Sequence, residues 1–385
     1  MRIYFDNAAT TPMSPEVIEV MTHCMQQEFG NPSSTHSEGR KARALIELSR
    51  KSIAKYLHAS IGEIFFTSGG TESNNMAIKC AVRDLGVQRI ITTNIEHHCV
   101  LHTVESMEKY MNVDVVYLEV DHEGRIDISD LETALQASNV KTLVSIMHAN
   151  NEIGTLNDIA RIGTICHANG ALFHSDTVQT VGHYPVHADE LNIDFFSGAG
   201  HKFHGPKGIG LLYINSRNAI KPFIDGGAQE RNMRGGTENI YGIVGMARAL
   251  EDAYEHLDER MGYISELRSY LKESLLEWQP EICMNGAENG LYTVLNVAFP
   301  PNSKSEMLLT LLDIHGISVS GGSACSSGSD KGSHVIGAIG RDPSWKSVRF
   351  SFSHFNTKAE IDQVMEKLKT ILPITAFTHL QLEKH

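Results

Sequence analysis

The chain has 385 residues, 41% hydrophobic and 21% charged, the balance of a soluble globular protein with room for two or three domains. Its net charge of −13 argues against a nucleic-acid backbone or an anionic membrane surface as the main partner. No apolar run reaches membrane-spanning length, and Met1-Arg2-Ile3-Tyr4-Phe5-Asp6-Asn7 does not read as a signal peptide. The six cysteines are scattered without a C-x-x-C pair, so a reducing compartment is expected and a disulfide or zinc scaffold is not.

In chain order, a strand is predicted over 64–67, a helix over 72–85, a strand over 89–93 and a helical stretch to about 110. A strand at 113–118, a helix at 129–137, a strand at 141–147 and a helix at 158–169 follow. Strands then occupy 171–175, 194–197 and 208–214. Continuous apolar strands alternating with helices imply a mostly parallel sheet covered on both faces. Residues 241–278 read as one long helix, charged on one face, connecting two lobes. Beyond it come a strand at 293–299, a helix at 305–315, strands at 317–320 and 347–353, and a helix at 358–372. That pattern suits a smaller α+β domain followed by a loose tail.

Four segments could carry chemistry. Thr67-Ser68-Gly69-Gly70-Thr71-Glu72-Ser73-Asn74 joins a strand to a helix, and its glycines and free N–H groups suit a phosphate as well as they suit an ordinary capped turn. Asp176 closes an apolar strand at the end where open α/β sheets bind ligands; alone, it reads more simply as a helix cap. Lys202 lies in the loop Gly200-His201-Lys202-Phe203-His204-Gly205, where desolvation beside other cationic groups would make it a nucleophile; alone, it reads more simply as a surface-turn lysine. Cys325 sits in Ser323-Ala324-Cys325-Ser326-Ser327-Gly328, among small polar neighbours that leave a thiol exposed and reactive. Glu96-His97-His98 follows a strand, and His98 with His102 has metal-ligand spacing on a helix, although no further ligand is specified. Arg349, among apolar strand residues, suits bidentate recognition of a carboxylate or a structural ion pair.

A phosphate cradle, an acid after a strand and a downstream lysine together suggest pyridoxal phosphate. With Tyr4-Phe5-Asp6-Asn7-Ala8-Ala9-Thr10-Thr11 and Gly30-Asn31-Pro32-Ser33-Ser34, the chain resembles the group I cysteine desulfurases of the fold-type I superfamily, and Ser323-Ala324-Cys325 separates these from related aminotransferases. The resemblance implies an α/β fold. An N-terminal arm (1–15) would pack on the small domain. A large cofactor domain (16–256), a small α+β domain (257–373) bearing the cysteine loop and a tail (374–385) would follow. It implies that Lys202 bonds the cofactor aldehyde and later moves the Cα proton, that Asp176 faces the pyridine nitrogen, and that His97 stacks on the ring and assists proton transfer. Asn151 and Gln179 would contact the ring hydroxyl. Gly70, Thr71 and His201 would hold the phosphate, joined by Thr237 from a partner subunit. Arg349, with Asn31 and Asn151, would bind the substrate carboxylate, and no metal would be needed. L-Cysteine would yield L-alanine and a Cys325 persulfide, passed by a cytoplasmic homodimer to an acceptor protein for iron–sulfur cluster, thio-cofactor or tRNA biosynthesis.

Three features depart from the family pattern. Ala199 stands where serine is usual, with Ser197 or Ser68 as the expected replacement hydroxyl. Ser351-Phe352-Ser353-His354-Phe355 replaces the usual ending after the arginine, and the long scaffold-docking tail is missing. Rival readings are a selenocysteine or cystine lyase on the same scaffold, a non-catalytic sulfur-relay platform, and a metal hydrolase built on the histidines.

Overall fold

A computed structural model describes residues 2–322 and 332–372, so Cys325 and the tail 374–385 lie outside the described residues. Seven strands build the main sheet: β2 (Ile64–Thr67), β3 (Arg89–Thr93), β4 (Asp114–Leu118), β5 (Thr142–Ser145), β6 (Leu172–Asp176), β7 (Phe195–Ala199) and β8 (Gly210–Ile214). Their order is β2-β8-β7-β6-β5-β3-β4. From β4 to β7 every pairing is parallel, whereas β8 runs antiparallel to both β7 and β2. The reversal follows from the short β7–β8 connection, because a parallel return needs a crossover long enough to traverse the sheet. Two reversals restore direction, so β2 ends at the same edge as β3, β5, β6 and β7.

Side chains alternate across the sheet. Ile91, Phe66, Phe196 and Leu211 enter one core, while Ile90, Phe65, Phe195 and Leu212 enter the other. Both faces are covered, and for that reason the strands read as unbroken apolar runs. Helices α1 (Pro15–Gln27) and α2 (Ser37–Tyr56), for which no element was predicted, pack on the first face against α8 (Ile240–Glu255). The second face is closed by α3 (Gly70–Leu85) and α4 (His98–Met111), while α5 (Ile128–Gln136) and α6 (Ile159–Ala168) complete the crossovers. A single short turn, α7 (Gln229–Asn232), precedes α8.

The long connector is not one helix. It breaks at His256 between α8 and α9 (Leu257–Trp278). The apolar side of α8 (Met246, Leu250, Ala253) belongs to the sheet core, whereas that of α9 (Leu267, Leu271, Leu275) belongs to a separate core. No straight helix could bury both stripes. The second core is completed by the antiparallel sheet β9 (Cys283–Asn285), β10 (Val294–Phe299) and β12 (Lys346–Ser351), in the order β12-β10-β9, and by α10 (Leu308–Ile314) and α12 (Lys358–Ile371). A short α11 (His334–Ala338) lies between them in sequence. At the N-terminus, β1 (Ile3–Tyr4) pairs in parallel with β11 (Ile317–Ser318), and Ile3 and Phe5 enter this same core. The chain then crosses to the main sheet, which carries Ala8, Ala9 and Thr10 past its C-terminal edge.

Candidate active site

At that edge a cavity of about 240 Å³ opens. Gly70 and Thr71 reach it from the start of α3, His97 from the start of α4, Asn151 from the turn after β5, and Asp176 from the end of β6. Gln179 follows in the next turn, His201 and Lys202 come from the turn after β7, and Arg349 arrives from β12 of the second lobe. Ligands of open α/β sheets bind outside the strand ends, where helix N-termini and loop side chains converge.

Asp176 is almost fully buried. Its Oδ2 accepts 2.7 Å from Asn74 Nδ2 and its Oδ1 accepts the Val178 N–H at 3.0 Å. Asn74 also lines the cavity, one helical turn into α3; the sequence named it only as the last residue of the glycine-bearing segment and gave it no role. Its only sequence signal is its place on the apolar side of α3, next to Met76 and Ala77. Behind it, His174 Nε2 meets Asn74 Oδ1 at 3.1 Å and His174 Nδ1 meets Ser145 Oγ at 2.9 Å. Burial lowers the His174 pKa to about 4.

Lys202 Nζ donates to the carbonyls of Ala8 at 2.6 Å and Ala9 at 3.0 Å, so the N-terminal arm helps to position the ammonium group. Gln179 Nε2 donates to the same Ala8 carbonyl at 3.1 Å. His201 Nδ1 lies 3.2 Å from Thr10 Oγ1. Burial, reinforced by Lys202 and Lys207, lowers its pKa to about 4, so at neutral pH it is an uncharged hydrogen-bonding group. A Cβ on Gly70 would lie 2.6 Å from Val178 Cγ2, so a larger residue there would push Val178 aside at the mouth of the helix. The N-terminus of α3 can therefore be approached closely by an anion.

Arg349 is 1% exposed. Its Nη1 donates to the Asn151 carbonyl at 2.8 Å and its Nη2 to Asp6 Oδ1 at 2.8 Å, while its buried Nε has no partner among the described residues. Beneath the floor, Glu96 is fully buried and accepts the Met147 N–H at 2.8 Å; desolvation pushes its carboxyl up to about 8.

Several expected residues lie elsewhere. Asn31 is exposed in the turn before α2, where its Oδ1 accepts the Ser33 N–H, and it does not line this cavity. Thr237 is also exposed and borders a different depression with Arg234 and Glu230. Cys325 is outside the described residues. Neither serine expected to replace the hydroxyl missing at Ala199 reaches the cavity: Ser197 Oγ turns to Asp176 Oδ1 at 3.4 Å, and Ser68 is exposed, its N–H held by Glu72. Ala199 itself lines the cavity, as does Cys99, which sequence reasoning passed over as one more scattered cysteine. His98 and His102 stack on one another at 5.3 Å. Among the described residues, only His58, His187 and Glu190 gather with metal-ligand spacing, and they do not line the cavity.

The donor set suits one kind of guest. An anion is served by the α3 N-terminus, Thr71 and His201; a protonated ring nitrogen by Asp176; an aldehyde by Lys202; and a second carboxylate by the orphaned Nε of Arg349. Pyridoxal phosphate with an amino acid presents those groups.

The profile of the family described as Aminotransferase class-V matches residues 3–364. The chain is 44% identical over 383 residues to the cysteine desulfurase IscS of Dictyoglomus turgidum, covering 96% of each. Among solved structures it is similar to a NifS-like protein at 38% identity and a TM-score of 0.90, covering 97% of this chain and all of that one. It is also similar to SspA in complex with cysteine at 35% identity and a TM-score of 0.80, covering 93% of this chain and all of that one.

Proposed function

The chain belongs to the cysteine desulfurases of the class-V aminotransferase family, and from that premise we propose that it converts L-cysteine to L-alanine with pyridoxal 5′-phosphate as cofactor, leaving the sulfur on Cys325 as a persulfide. The observation that carries this reading is the convergence of the α3 N-terminus, Asp176, Lys202 and Arg349, from four separate elements, on one cavity. When bound, the cofactor supplies an aldehyde for a lysine amine and a ring that draws electrons from an amino acid's Cα and Cβ.

The protein's own groups do the rest. Asp176, fixed in place by hydrogen bonds from Asn74 and the Val178 N–H, would face the ring nitrogen, where a carboxylate favours a positive charge. Gly70, Thr71 and His201, which line the cavity, would hold the phosphate, and Asn151 and Gln179 would serve the ring hydroxyl. Lys202 would hold the cofactor aldehyde and carry the Cα proton, with His97 assisting. Arg349 would take the substrate carboxylate on the edge that carries its Nε, which fixes the amino acid's orientation in the cavity. Cys325 lies in a chain segment joined to the described residues Gly322 and Gly332, and its small polar neighbours suit a thiol that receives sulfur and then passes it on. Thr237, exposed and away from its own cavity, supports a homodimer in which it completes the partner's phosphate site. A sulfur-acceptor protein in the cytoplasm completes the proposal. No helix among the described residues is long and apolar enough to cross a membrane.

The test is incubation with L-cysteine, measuring alanine, sulfide and the mass of the Cys325 peptide. The expected result is stoichiometric alanine and one added sulfur on that peptide. Cys325→Ser should keep the cofactor absorbance and lose the persulfide. Undiminished sulfur release by that variant would overturn the proposal.

A further inference from the structure

His97 is the N-cap of α4, and the Cys99 backbone N–H donates to its Nδ1 at 3.1 Å. A backbone N–H can only donate, so Nδ1 offers its lone pair and carries no proton. The Cys99 Sγ lies 3.0 Å from that same Nδ1. The sulfur is in turn supplied with a donor, since Asn74 Nδ2 points to it at 3.3 Å and to Asp176 Oδ2 at 2.7 Å. Asn74 cannot be flipped without setting its oxygen against the Asp176 carboxylate. With its acceptor side engaged by Asn74, the thiol has its own proton to give to Nδ1. Burial, first among its causes, pushes the Cys99 thiol up to about 12, so that proton is present throughout the physiological range.

We propose that Cys99 is a positioning residue for His97: its thiol and its backbone N–H together hold the neutral imidazole with the proton on Nε2, the nitrogen left for the cavity, so that His97 meets substrate as a neutral hydrogen-bond donor and not as a cation. The inference rests on the desulfurase reading of the cavity and adds to it the resting tautomer of the histidine and the residue that fixes it. Protonating Nδ1 would displace both donors, which opposes formation of the imidazolium. The other groups facing the ring divide between the two signs: Asp176 favours the cation, while Lys202, His98 and His334 disfavour it, and burial disfavours it most. Through Asn74, one amide ties the acid and the imidazole into a single directed chain, Ser145 to His174 to Asn74 to Cys99 to His97.

The test compares holoenzyme carrying Cys99→Ala and Cys99→Ser. Alanine at this position removes one donor to Nδ1, so the acid limb of kcat/KM for L-cysteine is expected to move up by about half to one pH unit. Serine retains a donor and should restore the original profile, which a purely packing role would not do. Independently of turnover, 15N-histidine NMR of the unsubstituted protein, with His97 assigned by difference from His97→Asn, should show an unprotonated Nδ1 and a protonated Nε2. Overlapping profiles for Cys99→Ala and the parent, equal shifts in the alanine and serine variants, or a protonated Nδ1 would each overturn the proposal. Absent cofactor absorbance or absent persulfide in the parent would instead defeat the desulfurase reading, and the NMR result would still decide the tautomer.

Discussion

Replacing Arg349 by alanine is expected to remove recognition of the substrate carboxylate while leaving the cofactor in place. The guanidinium is fixed before substrate arrives, by Asn151 O on Nη1 and Asp6 Oδ1 on Nη2, both at 2.8 Å. Its orphaned Nε and the remaining N–H groups can form a bidentate pair with a carboxylate. Hydrogen bonds to charged groups contribute about 1.5–3 kcal/mol each, so losing two corresponds to about 3–6 kcal/mol. At about 1.4 kcal/mol per decade, kcat/KM for L-cysteine should fall by about 10²- to 10⁴-fold. Asp6 keeps Ser320 Oγ at 2.8 Å and is partly exposed, so its loss of partner should not unfold the arm. Arg349→Lys, which keeps the charge without the fork, should recover only part of the rate. The assay is steady-state alanine formation beside cofactor absorbance, with cysteamine, which lacks the carboxylate, as a binding control that both proteins should treat alike. A fall of less than about tenfold with cofactor bound, or an equal loss for cysteamine, would refute the reasoning.

Asp176→Asn keeps the hydrogen-bonding shape but removes the charge, and alanine formation should drop by about 10²-fold or more in a turnover assay. Arg50 and Glu230 form a buried bidentate pair at 2.8 and 2.7 Å, which holds the left-handed backbone of Glu230 and Arg231. Arg50→Met strands the carboxylate and should cost about 3–5 kcal/mol in urea denaturation, with Arg50→Met/Glu230→Leu recovering part of the loss. His148 and His174, lowered by burial to about 4, bind fewer protons folded than unfolded. Stability should therefore decline as pH falls from about 6.5 toward 4, seen as proton uptake on acid unfolding. Glu96 works in the opposite sense. Its raised folded value of about 8 makes stability fall as pH rises from about 4.5 through 8, so Glu96→Gln should raise the denaturation midpoint at pH 8 relative to the parent.

Most of the parallel sheet could be read from residues alone because its strands are buried on both faces and appear as apolar runs such as Ile64–Thr67 and Phe195-Phe196. The helices α1 and α2 went unread, since charged and polar residues crowd their exposed sides and dilute the apolar stripe of Val17, Ala42, Ile46 and Ile53. The break at His256 was invisible for a related reason: helix-forming residues continue through it, and only the two cores that flank it demand a change of direction.

In the cavity, residue type and local setting marked Asp176, Lys202, Thr71 and Arg349 as candidates; each alone suited a cap, a turn or an ion pair as well, and only their combination pointed to one kind of guest. Asn74 and Cys99 carry no such mark. An asparagine inside α3 and a cysteine in the first turn of α4 look like any others until folding sets one against Asp176 and the other against His97. Chemical kind is a property of each residue in the chain, but hydrogen-bond direction is a property of pairs distant in sequence. The inventory of reactive groups was therefore written in the order of amino acids. Which side chains share a hydrogen bond, which carboxyls are buried and which N–H of a guanidinium is left without a partner among the described residues were decided only when five strand ends and a second lobe met at one edge of the sheet.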